Sequence, residues 1–258
     1  MKTKRKKNKK PDPLSYRERS YRQSVDAAGL TPSRVTVCET DLFILADCEV
    51  RDLATRLVLH YRSQLEGYIA RNPAFLHTLS PLPIDPTACP LVKAMMKAAH
   101  DAGVGPMAAV AGAIAEFVGR DILQSGCSKE IIIENGGDIF LSRTRTSSVA
   151  IYAGSSPLSN RVGIKISPAM MPLGICTSSG TIGHSLSLGQ ADSVTVLAPS
   201  TPLADAAATR LGNEMKGKNA VHHAIEAAKT LPGLTGVVIV QDDHLGVWGE
   251  IELIPLGA

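Results

Sequence analysis

The chain has few aromatic residues and no long run of apolar ones. One Trp, five Tyr and four Phe make up 4% of its 258 residues, which is too few for a stacking platform that reads single-stranded nucleic acid. No stretch approaches the roughly 18 uninterrupted apolar residues of a membrane-spanning helix, so none is predicted. Charged residues account for 20%, and this balance is typical of a folded globular protein rather than a disordered one.

The cysteines contain no Cys-x-x-Cys pair, and their number is odd. They are Cys38, Cys48, Cys89, Cys127 and Cys176. The pattern indicates neither a paired zinc motif nor a disulfide framework, and with no export signal in the sequence we expect a reduced, cytoplasmic chain. We expect the thiols to be buried and to act as small apolar side chains, with a zinc site or a catalytic thiol as the alternative.

Basic residues are concentrated at the N-terminus, where seven of the first ten residues are Lys or Arg. The remainder holds 20 basic against 24 acidic groups, so its formal charge is −4 although the whole chain carries +3. We expect residues 1–15 to be a disordered basic tail, without the apolar segment of a secretory signal peptide. A weak tether to RNA or anionic lipid is the alternative. Residues 16–258 are predicted to form one domain.

Apolar periodicity predicts both helices and strands. Helices are predicted over residues 47–72, 91–100, from 106 onward, 203–211 and 220–229. The helix from Pro106 is small or apolar on every side, which indicates a buried helix. From Glu130 onward, short strand-like runs alternate with Gly, Ser, Asn and Pro. This order favours an α+β fold with antiparallel sheets covered by helices.

Hairpins are predicted near both ends of the chain. The first joins the apolar runs on either side of Glu39–Asp41. The last joins Gly236–Gln241 to Val247–Ile254 around the polar residues 242–244. In both, two β-prone runs flank a short polar break, which is the usual hairpin pattern.

A pair of glycines follows a predicted strand in the segment Glu134-Asn135-Gly136-Gly137-Asp138. Two glycines at a strand end permit a left-handed backbone and leave N–H groups uncovered, which suits a phosphate or a flat ring. The same segment is also a common hairpin turn. Both interpretations stay open at this point.

A second polar segment runs from Cys176 to His184 and contains Thr177, Ser178, Ser179 and Gly180. Its hydroxyl and amide groups can bind anionic oxygens, and His184 can transfer a proton. The segment lacks the Gly-x-Ser-x-Gly spacing of a hydrolase nucleophile, which argues against a serine hydrolase. An ordinary polar turn with a solvated histidine is the alternative.

The third segment begins with Thr201-Pro202, a good start for a helix. Asp205 and Thr209 then lie four residues apart on one helix face. A carboxylate and a hydroxyl are hard oxygen ligands, and Mg²⁺ completes such a set with waters and substrate phosphates. The alternative is a capped surface helix whose aspartate complements the helix dipole.

These three segments, in this order, resemble the ApbE family, whose best-known members are magnesium-dependent FAD:protein FMN transferases. The resembling elements are the family's Gly-Gly-Asp strand end (residues 135–138), its Thr-Ser-Gly and His segment (177–184) and its Ala-Asp-Ala-x-x-Thr helix (204–209), with residues 109–116 in the place of its Ile-Ala-Lys-Gly helix. The match spans roughly residues 103–213. The whole chain is similar to a compact branch of cytoplasmic ApbE-like proteins. It implies an ApbE-like domain of two tandem T-fold-like units.

The resemblance also implies a role for individual residues. Asp205, Thr209 and a main-chain carbonyl near Ala111 would bind Mg²⁺. FAD or its pyrophosphate would lie against Asn135, Gly136, Gly137, Asp138, Thr177, Ser178, Ser179 and Gly180. The catalytic His184 would lie near the reacting phosphate. In the implied reaction an acceptor hydroxyl attacks the FMN phosphorus and AMP leaves.

Three departures from the family pattern leave two functions open. Gly112 stands where the family has a lysine, the loop after His184 lacks the family's Pro and Thr, and there is no lipobox cysteine. The first function is Mg²⁺-dependent transfer of a flavin nucleotide to an unknown acceptor, which the Asp205/Thr209 pair favours. The second is a non-catalytic protein that binds a flavin, nucleotide or pterin. We expect no membrane partner, and nucleic acid at most weakly through the tail.

Overall fold

A computed structural model describes residues 29–179, 191–217 and 219–256. The helices in this part of the chain are α1 (Arg51–Arg71), α2 (Ala74–His77), α3 (Pro90–Ala102), α4 (Val110–Gln124), α5 (Thr201–Glu214) and α6 (Ala220–Thr230). The strands are β1 (Thr31–Val37), β2 (Thr40–Ala46), β3 (Ile131–Asn135), β4 (Asp138–Ser142), β5 (Ser147–Ala150), β6 (Val162–Ile166), β7 (Leu173–Ser178), β8 (Ser193–Ala198), β9 (Gly236–Gln241), β10 (His244–Gly249) and β11 (Glu252–Pro255). The predicted basic tail lies outside the described residues.

Eight strands form one antiparallel sheet in the order β1-β2-β3-β4-β7-β8-β9-β10. The two halves of this sheet repeat one plan. Helices α1–α4 connect β2 to β3 in the first half, and α5 and α6 connect β8 to β9 in the second. The predicted α+β fold of tandem T-fold-like units is therefore confirmed. A smaller antiparallel sheet has the order β11-β6-β5.

The large sheet lies between the helices on one face and the small sheet on the other. Ile131 and Ile133 of β3 belong to the core shared with the helices, and Ile132 belongs to the core shared with the small sheet. Successive side chains of a strand point to opposite faces, so a strand covered on both faces is apolar throughout. This explains the unbroken run Ile131-Ile132-Ile133.

Helix α4 is buried, as its composition predicted. Its buried residues are Gly112, Ala113, Ile114, Ala115, Glu116, Val118, Gly119 and Ile122. A short 3₁₀ turn, Pro106–Ala109, leads into the helix. The small side chains allow α5 and the sheet to approach the helix closely, and burial begins at Gly112, since Val110 and Ala111 are half-buried.

The predicted C-terminal hairpin is correct only in its first half. β9 and β10 pair around residues 242–243, but β11 leaves the large sheet and pairs with β6. Gly249 has φ +92°, and a Cβ there would lie 2.3 Å from the main-chain oxygen of Thr235. This turn redirects the chain, and apolar alternation alone does not reveal which sheet a strand joins.

The expectation of buried cysteines is wrong for four of the five residues. All five are free, and only Cys176 is buried; Cys89 is half-buried, and Cys38, Cys48 and Cys127 are exposed. The exposed thiols lie in connections between elements, which run over the surface.

No single helix of the described residues has the length and apolar character to cross a membrane. Residues Pro90–Ala102 and Pro106–Gln124 meet that criterion only together, as a pair bent by 107°.

Candidate functional site

Asp205 lies where helix α5 meets the N-terminus of α4. The main-chain N–H of Gly112 donates to Asp205 Oδ2 at 2.8 Å, and the main chain of Ala111 also donates to this carboxylate. The first N–H groups of a helix have no acceptor within it, and they attract negative charge. The Asp205 carboxylate therefore caps α4 and is held in one orientation.

The close approach of the two helices depends on Gly112. A Cβ at this position would lie 2.6 Å from the main-chain oxygen of Thr201 and 2.9 Å from Cβ of Asp205. No side chain fits there unless α5 moves. The lack of a side chain at residue 112 is thus coupled to the packing of α5 on α4.

The segment Asn135–Asp138 is the hairpin turn between β3 and β4. Asn135 pairs with Asp138, and Gly136 and Gly137 have φ +72° and +109°, which residues other than glycine rarely adopt. The N–H of Gly137 donates to the carboxylate of Glu134 at 2.8 Å, so it is already used. Gly136 is exposed, and a Cβ there would meet nothing within 4 Å. The open side of the turn is therefore at Gly136.

The turn also directs the side chain of Asn135 toward α4. Asn135 Nδ2 donates to the main-chain oxygen of Ala111 at 3.0 Å. Ala111 lies within α4, so its carbonyl oxygen also accepts the helical N–H of Ala115, and a bound Mg²⁺ would have to share this oxygen with both donors. Strand β3 thereby fixes the carbonyl that the resemblance assigned to Mg²⁺.

Asp138 and Cys176 lie next to each other on the helix-covered face of the sheet. They are paired residues of β4 and β7, and the thiol of Cys176 contacts the carboxylate of Asp138. Burial raises the pKa of the Cys176 thiol well above its usual value, and the charges of Asp138 and Asp205 raise it further. Cys176 is thus a protonated group beside two acids.

The two carboxylates of the site disfavour each other's ionisation. Burial raises the pKa of Asp138 to about 7, and the charge of Glu134 adds to the rise. Hydrogen bonds from Cys176 and the Thr177 main chain lower this pKa, but burial outweighs them. Burial also raises the pKa of Asp205 well above its usual value, with the charge of Asp138 as the second cause. A cation between such acids would relieve this repulsion.

The residues present fit Mg²⁺. Asp205 and Thr209 are both partly accessible, whereas Ala206, Ala207 and Ala208 between them are buried. Together with the carbonyl of Ala111 they offer the hard oxygen atoms that Mg²⁺ prefers. No group of three His, Cys, Asp or Glu side chains that could hold a metal occurs in the described part of the chain. A bound Mg²⁺ would therefore take its remaining ligands from water or substrate.

The first two residues of the predicted loop, Thr177 and Ser178, lie on opposite faces of the sheet. Thr177 and Ser178 belong to β7. Thr177 Oγ1 lies 2.9 Å from Thr195 Oγ1, on the face covered by the small sheet. Ser178 lies on the same face as Cys176, and its buried hydroxyl has no hydrogen-bond partner in the described residues. Ser179 follows the strand, and Gly180 and His184 lie outside the described residues.

Sequence reasoning missed two contributors to this site. One is Cys176, which was expected to be a small apolar side chain of the core, with a zinc site or a catalytic thiol as the alternative; its place beside Asp138 depends on the register of β7 against β4. The other is Glu116, whose carboxylate accepts the N–H of Thr201 at 2.6 Å. No local pattern signals this second contact, since the two residues are 85 positions apart.

Comparisons with known proteins agree on one family. Residues 22–233 match the family model described as "AbpE bacteria". A UPF0280 protein from Methanococcus maripaludis strain C7 is 41% identical over 223 residues, covering 84% of this chain and 90% of the relative. A UPF0280 protein from Methanosarcina acetivorans is 40% identical over 218 residues, covering 84% and 85%.

Two solved structures share the fold. The flavin transferase ApbE from Vibrio cholerae gives a TM-score of 0.56 at 16% identity, covering 85% of this chain and 96% of that one. The flavinyl transferase ApbE from Pseudomonas stutzeri gives 0.56 at 12% identity, covering 85% and 93%. At such identities the likeness concerns the fold, and the family assignment comes from the model match and the archaeal relatives. On these grounds the chain belongs to the AbpE bacteria family and has the fold of the ApbE flavin transferases.

Proposed function

We propose that this protein binds FAD together with Mg²⁺ where α4, α5 and the β3–β4 turn meet, and that it transfers the FMN part to an acceptor hydroxyl. The observation that carries the proposal is the position of Asp205. Its carboxylate is held by the main-chain N–H groups of Ala111 and Gly112 at the N-terminus of α4, and it is close enough to Asp138 for their charges to repel. The fold shared with flavin transferases supports the same function.

In this proposal Asp205, Thr209 and the carbonyl of Ala111 hold Mg²⁺. When bound there, Mg²⁺ would supply positive charge to the pyrophosphate, which would make the phosphorus more electrophilic. The chain itself supplies orientation, because Asn135 fixes the Ala111 carbonyl and Gly112 fixes the Asp205 carboxylate. The open side of the turn at Gly136 leaves room for the ligand.

The proposed reaction exchanges the phosphoanhydride bond of FAD for a phosphate ester bond to the acceptor. The acceptor oxygen forms a bond to the FMN phosphorus, and the bond from this phosphorus to the AMP phosphate breaks, so AMP leaves with the electron pair. The hydroxyl proton passes to a base, and His184 is proposed for this role from the resemblance.

Calorimetric titration of the purified protein with FAD, with Mg²⁺ or with a chelator, tests the binding step. We expect Mg²⁺ to tighten FAD binding and Asp205→Asn to weaken it by about tenfold or more, since one charged ligand is lost. Asp243→Asn is the matched control, because Asp243 is exposed in the β9–β10 turn. The proposal is rejected if neither Mg²⁺ nor Asp205→Asn changes the FAD affinity while circular dichroism shows that the variant is folded.

A second candidate function is binding without transfer. The observation that favours it is the contact at Gly112, which leaves no space for the lysine of the family pattern. Chromatography of FAD incubated with protein and Mg²⁺ separates the candidates. AMP release that depends on Asp205 and is not matched by free FMN indicates transfer, whereas retained FAD without AMP indicates binding alone. Native mass spectrometry of freshly purified protein would identify a retained ligand by its mass.

A further inference from the structure

Helices α4 and α5 cap each other reciprocally. Asp205 of α5 accepts the N–H of Gly112 in the first turn of α4 at 2.8 Å. Glu116 of α4 accepts the N–H of Thr201 in the first turn of α5 at 2.6 Å. In each helix the donor and the acid are four residues apart, so the two contacts form a closed box across the helix crossing.

We infer that Glu116 is a positioning residue that sets where the Asp205 carboxylate lies relative to α4. Its importance for metal binding rests on the proposed function. The candidate ligands come from both helices, because α4 supplies the Ala111 carbonyl and α5 supplies Asp205 and Thr209. Their separation depends on the register of α5 along α4.

Gly112 and Glu116 fix different aspects of how α5 packs on α4. The absence of a side chain at Gly112 sets how closely the helices approach, since its Cβ position lies 2.6 Å from the Thr201 oxygen. The Glu116 carboxylate sets the position of α5 along α4, because it binds only the first turn of α5. A shift of α5 along α4 would break both caps together.

Both oxygens of the Glu116 carboxylate are engaged. Oε2 accepts from Thr201, and Oε1 lies 2.8 Å from Nη2 of Arg120, whose side chain is about half exposed. The Glu116 side chain itself is only 9% exposed, and a carboxylate is rarely buried unless its oxygens are satisfied. The exposed Arg120 therefore neutralises the acid, while the buried contact with Thr201 sets the position.

Three variants separate the effect of Glu116 on the position of α5 from the effect of its charge. Glu116→Gln keeps an oxygen acceptor for the N–H of Thr201, Glu116→Ala removes it, and Arg120→Gln removes only the ion pair. The main readout is hydrogen exchange of individual amides by NMR. We expect Glu116→Ala to speed exchange at Thr201 and also at Gly112, by about tenfold for the loss of one capping contact. Glu116→Gln and Arg120→Gln should leave Gly112 near its wild-type rate.

Unchanged exchange at Val58, in the middle of α1, shows that the effect is local rather than global unfolding. Mn²⁺ binding followed by electron paramagnetic resonance gives the second readout, with weaker binding expected for Glu116→Ala and rescue by Glu116→Gln. Fast exchange at Thr201 with Gly112 unchanged would overturn the inference. If the exchange result holds but the wild type binds no Mn²⁺, the positioning role stands and the proposed metal site is rejected.

Discussion

The side-chain amide of Asn135 donates to the main-chain carbonyl of Ala111 at 3.0 Å and so ties the end of β3 to the first turn of α4. The residues are 24 positions apart in the sequence. The contact fixes the carbonyl oxygen that the proposed Mg²⁺ site would use. Four predictions test this arrangement and the packing around it.

Asn135→Ala should weaken Mg²⁺-dependent FAD binding by about fivefold and lower the free energy of unfolding by about 1 kcal/mol, because one hydrogen bond in the interior is lost. Titration calorimetry and urea unfolding measure the two effects. Asn72→Ala is the matched control, since Asn72 Nδ2 also donates to a main-chain oxygen, that of Tyr68. Equal FAD affinity in Asn135→Ala and Asn72→Ala would contradict the role of Asn135.

Gly112→Ala should lower the free energy of unfolding by about 2 kcal/mol, because the added methyl group overlaps the main chain of Thr201. It should also weaken FAD binding by displacing Asp205. Gly67→Ala, within α1, is the control: the nearest atom to its Cβ is Nη1 of Arg71 at 3.8 Å. That variant should be stabilised by about 0.5–1 kcal/mol through helix propensity. Equal stability of the two variants in urea unfolding would show that residue 112 is not tightly packed.

Glu130 should make unfolding depend on pH in the acidic range. Burial by itself raises the pKa of Glu130, but hydrogen bonds from Thr144 and Arg143 and the charge of Arg143 outweigh it and lower the pKa from 4.5 to about 2. The folded state therefore binds this proton more weakly than the unfolded state. The stabilisation is complete above the unfolded pKa, near 4.5, and is lost as pH falls toward 2.

Urea unfolding between about pH 6 and about pH 3 measures most of this contribution, and we expect the free energy of unfolding to fall by about 2 kcal/mol over that range. In Glu130→Gln the pH dependence should be smaller. The variant should also be less stable at neutral pH, because the buried Arg143 loses its charged partner. The same pH slope in both proteins would show that other carboxylates dominate acid unfolding.

The cysteines should react with a thiol reagent in an order set by exposure. Cys38, Cys48 and Cys127 are exposed and should react first, and the half-buried Cys89 more slowly. Cys176 is buried with a raised pKa, so it should react only after unfolding, because the thiolate is the nucleophile. Mass spectrometry of peptides from the labelled native protein gives the order. Rapid labelling of Cys176 would show that the Asp138 region is open to solvent.

Much of the local structure followed from local patterns. Thr201-Pro202 predicted the start of a helix that places Asp205 and Thr209 on one face, and α5 begins at Thr201. Two glycines predicted a tight turn after β3, and both have positive φ. The positions of His184 and Gly180 stay predictions, because they lie outside the described residues.

The sequence by itself determined the periodicity of each element, the spacing of the candidate ligands and the turn between Asn135 and Asp138, because these depend on neighbours within about one turn or one strand step. Only the tertiary structure decided that Asp205 meets Gly112, 93 positions away. It also placed Cys176 beside Asp138 and directed β11 into the second sheet. Such contacts are set by how helices pack on a sheet, where close approach at one glycine brings together groups that no local pattern connects.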